Sequence, residues 1–215
     1  MPDILRVTFK KGENMRYTGH LDILRTFVRG MRRAEIPFKY SEGFNPHAVM
    51  TFALPLGVGT TSDCEIADIS MAKAVSPDEF IGRVNGCMPK DCIEIVSAEY
   101  TSEKMPVIVR ADYEIRYENK TPFDAQKINE AVRGGTIIAE KKSKRQVKEV
   151  NLAEHIFRCE TEQIDERNFV LFVTISAGGK FNVKPQLLTD GLKNVCDGFD
   201  PVLTLPCRKK FIFES

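Results

Sequence analysis

The sequence predicts an α+β protein built as two tandem ferredoxin-like (βαββαβ) units, each with an antiparallel sheet and its helices packed on one face. Three observations carry this expectation. The order strand, helix, strand, strand, helix, strand can be read twice along the chain. The strand segments are short runs that alternate or are rich in β-branched residues, and two of the helix segments open on a Ser-Pro or Thr-Pro pair. A polar, proline-ended stretch, "SEKMP" at 102–106, falls near the middle of the 215 residues, which divides them into expected units 1–103 and 104–215. No identity between the halves is visible, so the repeat is one of pattern.

Taken in order, "ILRVTFKKG" reads as a strand and is followed by a helix from about 20 to 35, stopped by Pro37. "HAVMTFALP" and "SDCEIADISMAK" are two further strands across the turn "LGVGTTS". Ser76 is an N-cap, Pro77 takes the first helical position, and "PDEFIGRVNG" ends near Gly86. "CIEIVSAEY" closes the first half. In the second half "VIVRADYEIRYE" is an alternating strand, and "TPFDAQKINEAVRGG" a helix with Thr121 as N-cap and Pro122 following. "TIIAEKKSK" is expected as the next strand, then an irregular basic stretch, then the strand "NFVLFVTIS". The helix "KPQLLTDGLKNV" and the strand "VLTLPCRKKFIFES" complete the unit. The glycine-rich "SAGGKFNVKP" is explained as a hairpin or strand-to-helix turn, although its amides would suit a phosphate.

The net charge of +1 hides an uneven distribution. Residues 1–40 hold nine basic against four acidic side chains, and residues 41–100 hold three against nine. A basic front favours anionic partners locally. No stretch reaches the roughly 18 apolar residues that span a bilayer, and the N-terminus lacks an apolar leader, so no membrane partner and a cytoplasmic location are expected. Cys64, Cys87, Cys92, Cys159, Cys196 and Cys207 show no C-x-x-C spacing, which signals neither a disulfide framework nor a zinc site. No metal and no cofactor are expected.

Within the first helix Leu21, Leu24, Phe27, Val28, Met31 and Ala34 recur at helical spacing and form the expected apolar stripe. Arg25, Arg29 and Arg33 are spaced by four with Arg32 beside them, an opposing cationic row. Repulsion between such neighbours costs roughly 0.2–0.5 kcal/mol per pair. Asp22 can offset Arg25 and Glu35 can reach Arg32, which leaves a surplus. The row is either a solvated face or a surface held for an anion, and Asp63, Glu65 and Asp68 are the acids most able to compete for it.

The flanks add Arg16, Tyr17 and His20 ahead of the helix and Lys39, Tyr40, Phe44, Asn45 and His47 after it. Guanidinium forks bind phosphate and aromatic rings offer planes for bases, so these residue types suit RNA, and no DNA partner is expected. Lys142, Lys144 and Arg145 lie in a second basic stretch, "EKKSKRQVKEV". His20, Asp22 and His47 also allow an acid–base reading, since imidazole titrates near neutrality. Against it, residues two apart on a helix do not face each other, which favours a structural role for His20 and Asp22. The return at "YSEGFNPH" is expected to lie against the start of the helix, placing His20 and His47 in one cleft.

The pieces Arg16-Tyr17-x-Gly19-His20-Leu21-Asp22, Arg32-Arg33-Ala34, Ser41-x-Gly43-Phe44-Asn45-Pro46-His47 and Pro55-Leu56 give the chain its family likeness. With "VNLAEHI" and "FNVKPQLL" in the second half, it resembles the radical-SAM-linked protein family, a bacterial domain of unknown function. Members stand alone or form the C-terminal part of B12-binding radical SAM proteins. The resemblance therefore implies a B12-type radical SAM protein as partner. No C-x3-C-x-x-C is present to hold a cluster of that kind here, so this chain would be the other component. Three functions stay open: an accessory protein that presents tRNA or rRNA to that enzyme for modification or processing, a protein-only adaptor, or an RNA-processing enzyme using His20, Asp22 and His47.

Overall fold

Strand β1 (Ile4–Lys11) turns Leu5, Val7, Phe9 and Lys11 inward and the residues between them outward, a strict period of two. The computed structural model describes residues 3–142 and 147–214. These fall into two units, Met1–Val107 and Ile108–Ser215.

In the first unit β1 pairs antiparallel with β3 (Thr61–Ser70) and with β4 (Ile93–Thr101), and β3 pairs with the short β2 (Met50–Phe52). The order is β4-β1-β3-β2. Helix α1 (His20–Arg33) follows β1, and α2 (Pro77–Cys87) joins β3 to β4. One core holds Leu5, Val7, Phe9, Ala67, Ile69, Ile93 and Ile95 from the sheet and Ile23, Phe27, Met31, Phe80 and Val84 from both helices. Burial of each such side chain contributes about 1.5–3 kcal/mol. On β1, the Arg6 fork reaches both carboxylate oxygens of its cross-strand partner Asp68 at 2.8 and 2.9 Å. That removes Asp68 as a partner for the arginines of α1.

Helix α1 departs from the expected reading in two respects. Its buried stripe is Ile23, Phe27, Gly30 and Met31, continued by Ala34, whereas Leu21 is 62% exposed. A Cβ at Gly30 would collide with the end of the Met88 side chain, so this position lets Met88 close against the helix. The helix also ends at Arg33, before Pro37 can act. The Ile36 N–H reaches the Met31 carbonyl at 3.0 Å and the Glu35 N–H the Arg32 carbonyl at 3.1 Å, with Glu35 at φ 53°. This is a Schellman ending with a glutamate where glycine is favoured. The start of α2 follows the sequence: Ser76 Oγ accepts from the Glu79 N–H at 3.2 Å, with Pro77 next.

The second unit has the order β10-β5-β9-β8, from β5 (Ile108–Asn119), β8 (Ile156–Gln163), β9 (Asn168–Ser176) and β10 (Pro201–Phe213). Its recorded pairings are antiparallel as well. Here the sequence reading needs correction. The expected strand at 136–144 is β6 (Ile138–Lys142), which pairs with β7 (Val147–Asn151) in a separate two-stranded sheet. The place in the main sheet belongs to β8. Its "IFRCETEQ" is an edge strand exposed along much of its length, so it lacks the apolar run of an inner strand.

Helix α3 (Gln126–Arg133) begins five residues beyond Thr121, which caps nothing: its carbonyl accepts from the Asn119 amide at 2.9 Å. The intervening chain is not helical, and it carries Phe123 into a buried aromatic group with Phe169 and Phe199. Helix α4 (Pro185–Val195) lies on the β6–β7 hairpin through Gly191, where a Cβ would stand 3.0 Å from both Ile137 and Leu152. Deep in the unit, the Tyr117 and Thr189 hydroxyls are 2.8 Å apart, and burial pushes the Tyr117 phenol well above its ordinary range.

Candidate nucleic-acid interface

The outward side of α1 carries Arg25, Arg29, Arg32 and Arg33, all exposed. Their engagements differ. Arg25 is paired with Asp22 at 3.0 Å, both side chains being solvated, an arrangement worth little. Arg32 does not use Glu35; its Nε donates to the Tyr40 hydroxyl at 2.8 Å and its guanidinium lies 5.4 Å from the Tyr40 ring centre. Arg29 and Arg33 have no hydrogen-bonded or ionic partner among the described residues. The row is therefore exposed, cationic and only partly compensated along about 12 Å of helix.

Aromatic side chains stand at both ends. Tyr17, ahead of the helix, is 72% exposed. Beyond Tyr40 the chain makes a narrow loop closed by Ser41 and His47. The Ser41 N–H donates to the His47 carbonyl at 2.8 Å, the His47 N–H donates to Ser41 Oγ at 3.1 Å, and that hydroxyl lies 2.8 Å from His47 Nδ1. Gly43 takes φ 112° at the tip, and Phe44 beside it is fully exposed. A lone solvated phenylalanine gains nothing for the fold. Asn45 is exposed on the same tip, and Lys39 is ion-paired with Asp3 at 2.8 Å.

Other expected members of the site are not free or not together. Arg16 is only 5% exposed; its fork holds Glu13 at 2.6 and 2.8 Å and its Nη1 donates to the Gly59 carbonyl at 3.0 Å. It is a structural strut, not a direct phosphate ligand. His20 heads α1 with its imidazole edge-on to Phe52, ring centres 5.0 Å apart, while Asp22 turns away to Arg25. The His20–Asp22 pair is thus absent. His20 and His47 do not share a cleft either. The Arg32–Tyr40 bond ties the base of the 41–47 loop to the last turn of α1, and β2 then runs back to bring Phe52 to His20. Lys142 ends β6, and Lys144 and Arg145 lie outside the described residues.

One feature escaped the sequence reading. His20 lines a small recess with Lys11 and Glu65 beside Phe9, Ile23, Phe52, Pro55 and Leu56. Lys11 and Glu65 are 1% and 4% exposed. The Lys11 ammonium donates to the carbonyls of Thr60 at 2.9 Å and Arg16 at 3.1 Å. The signal was present: Lys11 continues the inward phase of Leu5, Val7 and Phe9, and Glu65 that of Ala67 and Ile69. A charge in the buried phase of a strand marks a satisfied polar site. Among the described residues no group of three or more possible metal ligands occurs, and all six cysteines are unbridged.

Residues 5–185 match the model of a family described as an uncharacterized protein conserved in bacteria, DUF2344. The chain belongs to that family. No curated protein matches it. Among solved structures, this chain is similar to a chain of a Cbf5–Nop10–Gar1 complex, at 9% identity and a TM-score of 0.51, over 96% of this chain and 48% of that one. It is similar to the same degree, TM-score 0.51 at 8% identity, to a chain of an H/ACA ribonucleoprotein bound to a substrate RNA containing 2'-deoxyuridine, covering 96% and 47%. The chain spans about half the length of those two, and at such identity the likeness is one of fold. No helix is long and apolar enough to cross a membrane among the described residues.

Proposed function

We propose that this DUF2344 protein is an RNA-binding accessory protein that acts with a B12-type radical SAM enzyme in cytoplasmic tRNA or rRNA modification or processing. The observation that carries the reading is the uncompensated pair Arg29 and Arg33 beside the Arg32–Tyr40 contact, with Phe44 fully exposed nearby. Phosphates would sit on the guanidinium forks, and Phe44, Tyr40 and Tyr17 would offer faces to unpaired bases. The fold likeness to proteins of RNA-containing complexes supports an RNA partner, and the family resemblance supplies the enzyme partner. We read both units as ferredoxin-like, an assignment supported by the corresponding strand orders within them, β4-β1-β3-β2 and β10-β5-β9-β8.

A salt titration tests the proposal. Binding of a structured RNA should weaken linearly in log K against log salt, by roughly 0.7–0.9 for each phosphate neutralised. Absence of binding even at low salt would leave the protein-only adaptor. That second reading is favoured by the exposed Leu21 and Tyr17 at the head of the row, since arginine and aromatic side chains also enrich protein interfaces. An acid–base enzyme is the weakest of the three readings, because Asp22 engages Arg25 and not His20.

A further inference from the structure

Strand β8 carries an extra residue against β9: Ile156 pairs with Ile175, but Arg158 pairs with Thr174. The irregularity falls at Phe157, and a bulge of this kind re-aims a side chain. Phe157 is left 46% exposed, and the guanidinium of the exposed Arg110 lies 3.7 Å from its ring centre. A large ring turned toward solvent by a bulge adds little to the core. Arg110 makes no hydrogen bond or ion pair among the described residues, so its N–H edge stays open.

A second stack lies beside the first. Arg110 stands directly opposite Ser176 on β9, and opposed residues of an antiparallel pair share a face. The Ser176 hydroxyl meets His155 Nδ1 at 3.2 Å, which brings the residue two before Phe157 to that face as well. The His155 imidazole stacks on Phe181, ring centres 3.7 Å apart and planes within 9°. Lys141 lies 3.6 Å from the centre of Phe181, on its other face. The carboxylates of these elements are engaged elsewhere. Asp112 accepts from the Thr174 hydroxyl at 2.6 Å, Glu160 holds Arg158 at 2.6 Å, and Glu214 holds Lys180 at 3.1 Å. Glu154, beside His155, acts on it only at a distance. Among the described residues no carboxylate bonds to Arg110, His155 or Lys141.

We propose that Arg110, Phe157 and His155 form a binding strip for single-stranded RNA on the second unit, with the Arg110–Phe157 stack as its platform. A guanidinium lying flat on a ring keeps its N–H edge free for phosphate, and the two together extend a plane on which a base can stack. A flexible strand brings one phosphate and one base with every nucleotide. Arg110 and His155 can therefore each meet a different group, with no need to converge on one anion, and Lys141 adds only to the positive field. A duplex keeps its bases stacked on one another and cannot use such a platform. The open ring beside the cation favours a nucleotide over an acidic peptide, whose carboxylates offer no face to stack. The choice of RNA rests on the function proposed above, but the site does not depend on the arginine row.

The sequence contains no tryptophan, so Phe157→Trp in the whole chain places a single fluorescent reporter in the platform. A short oligouridylate should quench that emission saturably, and an RNA duplex should quench it little. Affinity for the oligomer should be about tenfold weaker when Arg110→Gln is added, and unchanged when Arg29→Glu and Arg33→Glu are added instead. Phe157→Ala in the parent chain should show the same tenfold loss by filter binding, which guards against an effect of the new indole. Both positions are exposed, so thermal melts of all variants should match the parent. No quenching, equal quenching by the duplex, or an affinity that ignores Arg110→Gln or falls with the arginine row overturns the proposal. Salt-dependent binding of a structured RNA that persists after such a result leaves the first-unit reading standing.

Discussion

Arg32 donates from Nε to the hydroxyl of Tyr40 at 2.8 Å while its guanidinium lies over the same ring, and this one contact fixes the base of the 41–47 loop to the last turn of α1. The arginine row and the exposed Phe44 are thereby parts of one surface. The same contact separates His47 from His20, since it holds the loop at the end of the helix opposite His20.

Arg29 and Arg33 should be separable from Arg25. Arg29→Glu and Arg33→Glu remove no recorded contact, so their melting temperatures should stay close to that of the parent. Relief of like-charge neighbours is worth only a few tenths of a kcal/mol. RNA affinity should fall about tenfold or more in each, and the salt dependence should lose about one phosphate contact. Thermal melts and filter binding on the same samples decide it; a loss of affinity only in proportion to a loss of folding would show the row to be structural.

Phe44→Ala should leave stability unchanged within about 0.5 kcal/mol, because the side chain is fully exposed. Stacking of one base on an aromatic ring is worth about 1–3 kcal/mol, so affinity for an RNA with an unpaired loop should drop by that amount. Affinity for a fully paired duplex should change little. Equal losses on both RNAs would argue against stacking.

Lys11→Met should be destabilising although the new side chain is apolar and of similar length. The ammonium serves the carbonyls of Arg16 and Thr60, which pin the chain ahead of α1 to the loop before β3. The Arg16 carbonyl keeps the Gly59 N–H at 2.8 Å, but the Thr60 carbonyl loses its ammonium donor, at about 1–3 kcal/mol. Urea unfolding should show the midpoint shifted down with its slope kept; a neutral result would mean that water replaces the amine.

The pH dependence of stability should carry a signature of His155. Burial, reinforced by Lys141, lowers its pKa in the fold, whereas the unfolded chain takes up the proton near pH 6.5. The unfolded state therefore binds more protons below that pH, and stability should decline as pH falls from about 6.5 toward the folded value. Asp3 and Asp165 are also held low, by Lys39 and by the amides of Arg167 and Asn168, but they act in the same direction only within the carboxylate range. Melts between pH 7.5 and 5.5 in phosphate-free buffer should show a decline that His155→Gln abolishes. A parallel decline in the variant would assign it elsewhere.

The sequence by itself determined what depends on neighbours along the chain. The alternation of Leu5, Val7 and Phe9, the Ser76-Pro77 helix start and the spacing of the arginines are local patterns, and each is legible because the 2.0 and 3.6 periods are local properties of the backbone. Tertiary structure decided the rest. It rotated the buried face of α1 from Leu21 to Ile23, because the sheet and Met88 set which side of a helix can close. It gave the place in the main sheet to the polar edge strand β8 instead of β6, since edge strands bury too little to announce themselves. It committed Arg16 to Glu13 and Gly59, and it brought Lys141, His155 and Phe181 together from segments no spacing rule connects. Charge type is written in the chain, but whether a cation is satisfied or left open depends on which carboxylate or carbonyl the fold carries to it.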